Sequence, residues 1–273
     1  MSLIGVSYKL KYGFIGLGNM ATAIIKGMVQ SKRFNASDIL GFNRSSHKTE
    51  KLEDAYQISG CATLEEVMKA DVIILAVQPQ TFDELLPKVN EYLSPNQVVI
   101  SIAAGKSIDY LETNLPKATS IIRVMPNINA IVGASTTCFS ASENATSADK
   151  EMVTALFNTI GSMIELPEEQ FTIFSAIAGA SPAFSYMYID SLARAAVRAG
   201  MDKKRALEIA SSAVFGSAKM IMESSEHPWE LVDQVCSPGG TTIEGVTSLQ
   251  NDQFESTIFD AVNAVIEKDH SLS

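Results

Sequence analysis

At 273 residues and 46% hydrophobic content, the chain is long enough for two domains, each with a sizeable core. A formal net charge of −10 with no basic stripe argues against nucleic acid, and no apolar run approaches the ~20 residues of a membrane span. The start lacks a charged region followed by a long apolar core, and Cys61, Cys138 and Cys236 are scattered without metal spacing, so a cytoplasmic protein with no secretory leader, disulfide framework or bound metal is expected.

In chain order, Tyr12-Gly13-Phe14-Ile15 reads as a short buried strand. Gly16-Leu17-Gly18-Asn19-Met20-Ala21 follows, then a helical pattern through Ala21, Ile24, Ile25 and Met28. This is the G-x-G-x-x-A dinucleotide fingerprint in its strand–turn–helix setting. Gly16 permits the tight turn, Gly18 admits a pyrophosphate to the backbone, and Ala21 keeps the helix close to the strand. The next strand, 38–42, ends in Asn43-Arg44-Ser45-Ser46. A site selective for NAD would place an acid there for the ribose 2′-hydroxyl. Arg44 with two serines suits a 2′-phosphate instead, since guanidinium offers a fork of donors. NADP(H) is therefore the expected cofactor, with NAD(H) as the alternative.

Helices are expected over 46–56 and 63–69, a strand over 72–77 closed by Gln78-Pro79, and a helix over 82–92. A strand over 98–102 ends in Ala103-Ala104-Gly105, and another over 119–124 leads into Met125-Pro126-Asn127. Strands alternating with helices imply right-handed crossovers and a parallel sheet, with ligands beyond the carboxyl ends of the strands. The expected cofactor contacts are thus Gly16 to Ala21, Asn43, Arg44, Ser45, Ala76, Val77, Gln78, Pro79, Ala103, Ala104 and Gly105.

The character changes at Leu166-Pro167, beyond which only helical periodicity appears, so the expected domains are 1–166 and 167–273. The helix over 182–199 carries one polar stripe of Asp190, Arg194 and Arg198, and is apolar elsewhere. Gly200 ends it, and Asp202 caps a second helix with a wide apolar face that runs to Glu223. So short a segment can hardly bury both, which points to a homodimer formed through these helices. Further on, Cys236-Ser237-Pro238-Gly239-Gly240-Thr241-Thr242 forms a rigid turn opening a helix. Its bare N–H groups make an anion site that needs no basic side chain, suited to a small carboxylate.

With both ends read, the chain resembles the pyrroline-5-carboxylate reductases. The resemblance spans nearly its whole length and is carried by Gly16 to Ala21, Ala76-Val77-Gln78-Pro79, Ser101-Ile102-Ala103-Ala104-Gly105, Arg123-Val124-Met125-Pro126-Asn127 and, above all, Cys236 to Gly245. It implies an α/β fold: an N-terminal Rossmann-type parallel-sheet domain holding NAD(P)H, then an all-α C-terminal dimerisation domain, often assembled into a pentamer of dimers. It also implies that Ser237, Gly239, Gly240, Thr241 and Thr242 bind the substrate, an imine carboxylate, with the Thr242 hydroxyl at the ring nitrogen. Two departures stand out: Gln78 where the family often has lysine, and Gly179-Ala180-Ser181-Pro182-Ala183-Phe184 in place of Gly-Ser-Gly-Pro-Ala-Tyr.

The implied reaction is hydride transfer to the C=N carbon of 1-pyrroline-5-carboxylate, giving L-proline. A cyclic imine is basic enough to protonate from water, so no strong protein acid is required. His47, His227 and His270 read as surface or capping residues. Catalysis then rests on positioning plus a contact from Thr242. The opening Gly13 to Met20 also resembles 3-hydroxyisobutyrate-type dehydrogenases, but these use a second-domain lysine, and Ala176 to Asp190 contains none. A non-catalytic NADP(H)-binding sensor is the other alternative.

Overall fold

The computed structural model describes residues 10–271; the expectation about a leader falls on residues outside that range. β1 (Tyr12–Ile15) is buried throughout and feeds α1 (Asn19–Ser31). Then come β2 (Ile39–Phe42), α2 (Ser46–Tyr56), β3 (Ser59–Cys61), α3 (Leu64–Val67), β4 (Val72–Leu75), α4 (Phe82–Tyr92), β5 (Val98–Ser101), α5 (Ile108–Asn114) and β6 (Ser120–Met125). The sheet order is β3-β2-β1-β4-β5-β6, parallel throughout, so the strand order reverses between β1 and β4.

Alternation along the strands builds one core on each face. Phe14, Ile74, Ile100 and Ile122 face the core containing Ile24, Ile25 and Met28 of α1. Their neighbours Ile15, Ile73, Leu75, Val99 and Ile121 face the core containing Phe82, Leu86 and Val89 of α4 and Leu111 of α5. Strands buried on both faces explain the unbroken apolar run of β4, Val72-Ile73-Ile74-Leu75.

The sheet continues into β7 (Ser135–Ala141), then α6 (Ser147–Phe157) and β8 (Gly161–Glu165). β7, which the sequence pattern does not anticipate, pairs antiparallel with β6 and extends the otherwise parallel sheet. The connection over 126–134 is too short for a crossover, which needs about a dozen residues or more. α7 (Phe171–Phe174) runs into a π-helical turn, Ser175–Ala180. Arg123 of β6 pairs with Glu168 at 2.6 Å, and the same carboxylate accepts from the Ile108 N–H at 2.9 Å, tying β6 to the start of α5.

The chain divides into two compact units between Gly179 and Ala180. The second comprises α8 (Ser181–Arg198), α9 (Lys203–Glu223), α10 (Pro228–Val235), α11 (Thr241–Asn251) and α12 (Phe254–His270). α8 and α9 pack across a seam of small residues, Ala193, Ala206 and Ala210, and Asp202 caps α9 by accepting from the Arg205 N–H. Much of the apolar surface expected on these helices is exposed within the single chain, including Met187 at 71%, Phe215 at 71% and Met222 at 82%. Among the described residues, no helix is long and apolar enough to cross a membrane.

Candidate active site

At the carboxyl edge of the sheet, the tips of β1, β2 and β4 surround a crevice of about 560 Å³. Gly16 adopts φ +95°, and a Cβ there would stand 2.8 Å from the Ala76 carbonyl oxygen, so no other residue fits the turn without strain. Around Gly18 a Cβ would meet nothing within 4 Å, leaving the backbone open to a ligand. Gly18 also starts α1 without a side-chain cap, and no acid occupies the first turn. The N–H groups of Asn19, Met20 and Ala21 therefore form an electropositive helix start of the kind that favours an anion.

Asn43 braces two loops at once. Its Oδ1 accepts from the Leu17 N–H at 3.1 Å, and its Nδ2 donates to the Ser45 carbonyl at 3.2 Å. Arg44 and Ser45 line the crevice beside it, as do Ala76, Val77 and Gln78. Gln78 Oε1 accepts from Gln80 at 3.2 Å, so this position holds a neutral amide engaged with its neighbour. Pro79 opens a short helical turn, Ala103 is buried, and Ala104 and Gly105 are exposed at the end of β5; all four lie outside the crevice lining. Lys106, next to them, sits 3.5 Å from Asp83 and 3.9 Å over the Tyr110 ring, fastening this tip to α4. The Tyr110 hydroxyl and then the Lys106 charge hold the Asp83 carboxyl below its usual range.

Lys48, Thr81, Glu84, Leu85 and Lys88 also line the crevice and were not singled out in the sequence. Glu84 and Lys88 fall at i and i+4 on one side of α4, and Thr81 immediately precedes that helix. Periodicity assigns Phe82, Leu85, Leu86 and Val89 to the core and leaves the other side to solvent. Nothing in that pattern distinguishes solvent from a crevice wall.

In the second unit, Gly240 donates to the Ser237 carbonyl at 3.0 Å across Pro238 and Gly239. Gly239 has φ +67°, so proline then glycine at the two central positions satisfy a type II turn. A Cβ on Gly240 would collide with the Ser237 hydroxyl. Gly240 starts α11 without a side-chain cap, and Thr241 and Thr242 are exposed. The Thr242 hydroxyl has no hydrogen-bond partner among the described residues, and is left available to a ligand. Glu244 in the first turn partly offsets the positive helix start.

His227 caps α10, its Nδ1 accepting from the Trp229 N–H at 3.2 Å, while His47 and His270 are exposed. Burial pushes the Cys138 thiol up to about 12 and raises that of Cys61, so neither is a nucleophile at neutral pH. Among the described residues, no group of three or more His, Cys, Asp or Glu side chains is placed to hold a metal.

Strand order, glycine turn and crevice together define a nicotinamide-dinucleotide oxidoreductase, and residues 11–105 match the family model described as NADP oxidoreductase coenzyme F420-dependent. Residues 168–272 match the model described as pyrroline-5-carboxylate reductase dimerisation. The pyrroline-5-carboxylate reductase of Escherichia coli is 37% identical over 96% of this chain and 98% of its own length. That of Arabidopsis thaliana is 34% identical over 96% and 95% respectively. The chain belongs to the pyrroline-5-carboxylate reductase family. Among solved structures, the Coxiella burnetii reductase superposes with a TM-score of 0.92 at 28% identity, covering 97% of this chain and 98% of that one. The Plasmodium falciparum pyrroline carboxylate reductase with NADP bound gives a TM-score of 0.84 at 30% identity, covering 96% and 98%.

Proposed function

We propose that this protein reduces 1-pyrroline-5-carboxylate to L-proline with NAD(P)H, preferring NADPH. The observation that carries the reading is the glycine turn at Ser237 to Gly240, opening an uncapped helix with a free threonine hydroxyl. The crevice fits the dinucleotide: α1 presents unsatisfied N–H groups to its pyrophosphate, and Arg44 and Ser45 are its 2′-phosphate contacts. When bound, the cofactor supplies a hydride to the imine carbon.

The chain's own residues do the remaining work. Main-chain N–H groups of Gly239, Thr241 and Thr242 hold the substrate carboxylate, while the Gly240 N–H closes the turn onto the Ser237 carbonyl. The Thr242 hydroxyl contacts the ring nitrogen and orients the ring. No side chain is asked to deliver a proton, because the imine takes one from water before reduction. The helical segment, 167–273, carries the substrate turn and forms a homodimer, with a pentamer of dimers as its larger assembly. The three free cysteines accord with a cytoplasmic setting.

The test follows NADPH absorbance with pyrroline-5-carboxylate added. Consumption of cofactor with proline formed in equal amount supports the reading. Binding without oxidation would instead leave a cofactor sensor.

A further inference from the structure

The crevice has two walls. One is the loop after β2 and the first turn of α2, with Arg44, Ser45 and Lys48; the other is α4, with Thr81, Glu84 and Lys88. α2 starts unsupported: the Ser45 side chain makes no cap bond and its first turn holds no acid. A lysine in that turn opposes the helix dipole, so Arg44, Lys48 and the helix start together favour an anion. Among the described residues, none of Arg44, Lys48 and Lys88 has an ion-pair partner. Glu84, one turn before Lys88, is the single carboxylate on the lining. Three cations against one acid form a local positive field on a chain whose net charge is −10.

We propose that Lys88 is a specificity-determining residue that reaches the cofactor's 2′-phosphate from the α4 wall, opposite Arg44 and Lys48. This rests on the assignment of NADP(H) to the crevice. The ammonium contributes a point charge to a dianionic phosphate, where the Arg44 guanidinium contributes the directed fork. Discrimination is then shared across two walls, and the exposed position of Lys88 lets it be replaced without loss of fold. Glu84 works against it, so removing that acid should favour the phosphorylated cofactor further.

The experiment uses fragments of the cofactor, so that its readout is independent of turnover. Adenosine 2′,5′-bisphosphate and adenosine 5′-monophosphate are titrated calorimetrically into the full-length protein, into Lys88→Ala, Lys88→Arg and Glu84→Gln. Lys88→Ala is expected to weaken the bisphosphate roughly tenfold and the monophosphate by less than about twofold. Lys88→Arg should retain most of the affinity, and Glu84→Gln should tighten the bisphosphate alone. A Lys88→Ala variant that keeps its full preference for the bisphosphate overturns the role of Lys88 only. Equal losses for both fragments overturn it as well, by placing Lys88 on the adenosine. If the parent protein itself fails to prefer the bisphosphate, the NADP(H) assignment falls and the proposal with it.

Discussion

Under the proposed function Thr242 serves the substrate and Arg44 the cofactor, and single substitutions separate the two roles. The Thr242 hydroxyl is exposed and unpartnered among the described residues, so its removal leaves no buried group orphaned. Thr242→Ala should lower turnover by about 10- to 100-fold, while NADPH affinity from fluorescence titration stays nearly unchanged. Parent-like steady-state kinetics would remove Thr242 from the mechanism. Arg44, by contrast, lines the crevice at the carboxyl edge of the sheet. Arg44→Ala should weaken NADPH by roughly 5- to 50-fold and spare NADH. Equal losses for the two cofactors would mean that Arg44 holds the shared part of the molecule. Both positions stand out in the sequence, because a glycine-rich turn and a strand end are local patterns, and the structure places Arg44 on the crevice and Thr242 at the start of α11. Lys48 and Lys88 were not legible there, since their relevance comes from two helices meeting across a crevice.

The elements divide along the same line. β1, β2, β4, β5 and β6 announced themselves as apolar runs, since each lies in mid-sheet with both faces covered. β7, Ser-Thr-Thr-Cys-Phe-Ser-Ala, is hydroxyl-rich, and β8 is partly exposed at the sheet edge, so neither gives a clear period. The π-helical turn at Ser175–Ala180 was also hidden, and it runs directly into a helix with proline near its start. In an α-helix the Ala178 carbonyl would accept from the N–H of residue 182, but that residue is proline and has none. The buried side chain of Asn127 donates to the Ala178 carbonyl instead, at 2.8 Å. Its Oδ1 meanwhile accepts from the Thr136 N–H at 3.3 Å, so one amide fixes both the end of β6 and the π turn. Asn127→Ala should cost about 1–3 kcal/mol in urea denaturation. Adding Pro182→Ala should recover part of the loss, by restoring a main-chain donor. A variant as stable as its parent would show that the carbonyl is satisfied elsewhere.

For the molecule as a whole, the decisive fact is how little the second unit buries. Its buried apolar cluster is three alanines, Ala193, Ala206 and Ala210, shared by two long helices. Three buried alanines, with Ile189 and Ala196 partly buried against them, make a small core for ordering five helices. The deficit is matched by large side chains left outside, among them Met187, Phe215, Met222 and Phe259. Each contributes about 1.5–3 kcal/mol if removed from water, so association that covers them stabilises this unit. Residues 168–272 match a dimerisation family, so self-association through these helices is the means of burial. The melting temperature of the parent should therefore rise with protein concentration across the micromolar range. Phe215→Lys combined with Met222→Lys places two charges on the exposed face, and should shift light-scattering mass toward the single chain and lower the melting temperature. Should that double variant keep both the mass and the melting temperature of its parent, the apolar face of α9 takes no part in assembly, and some other surface must supply what the three alanines do not.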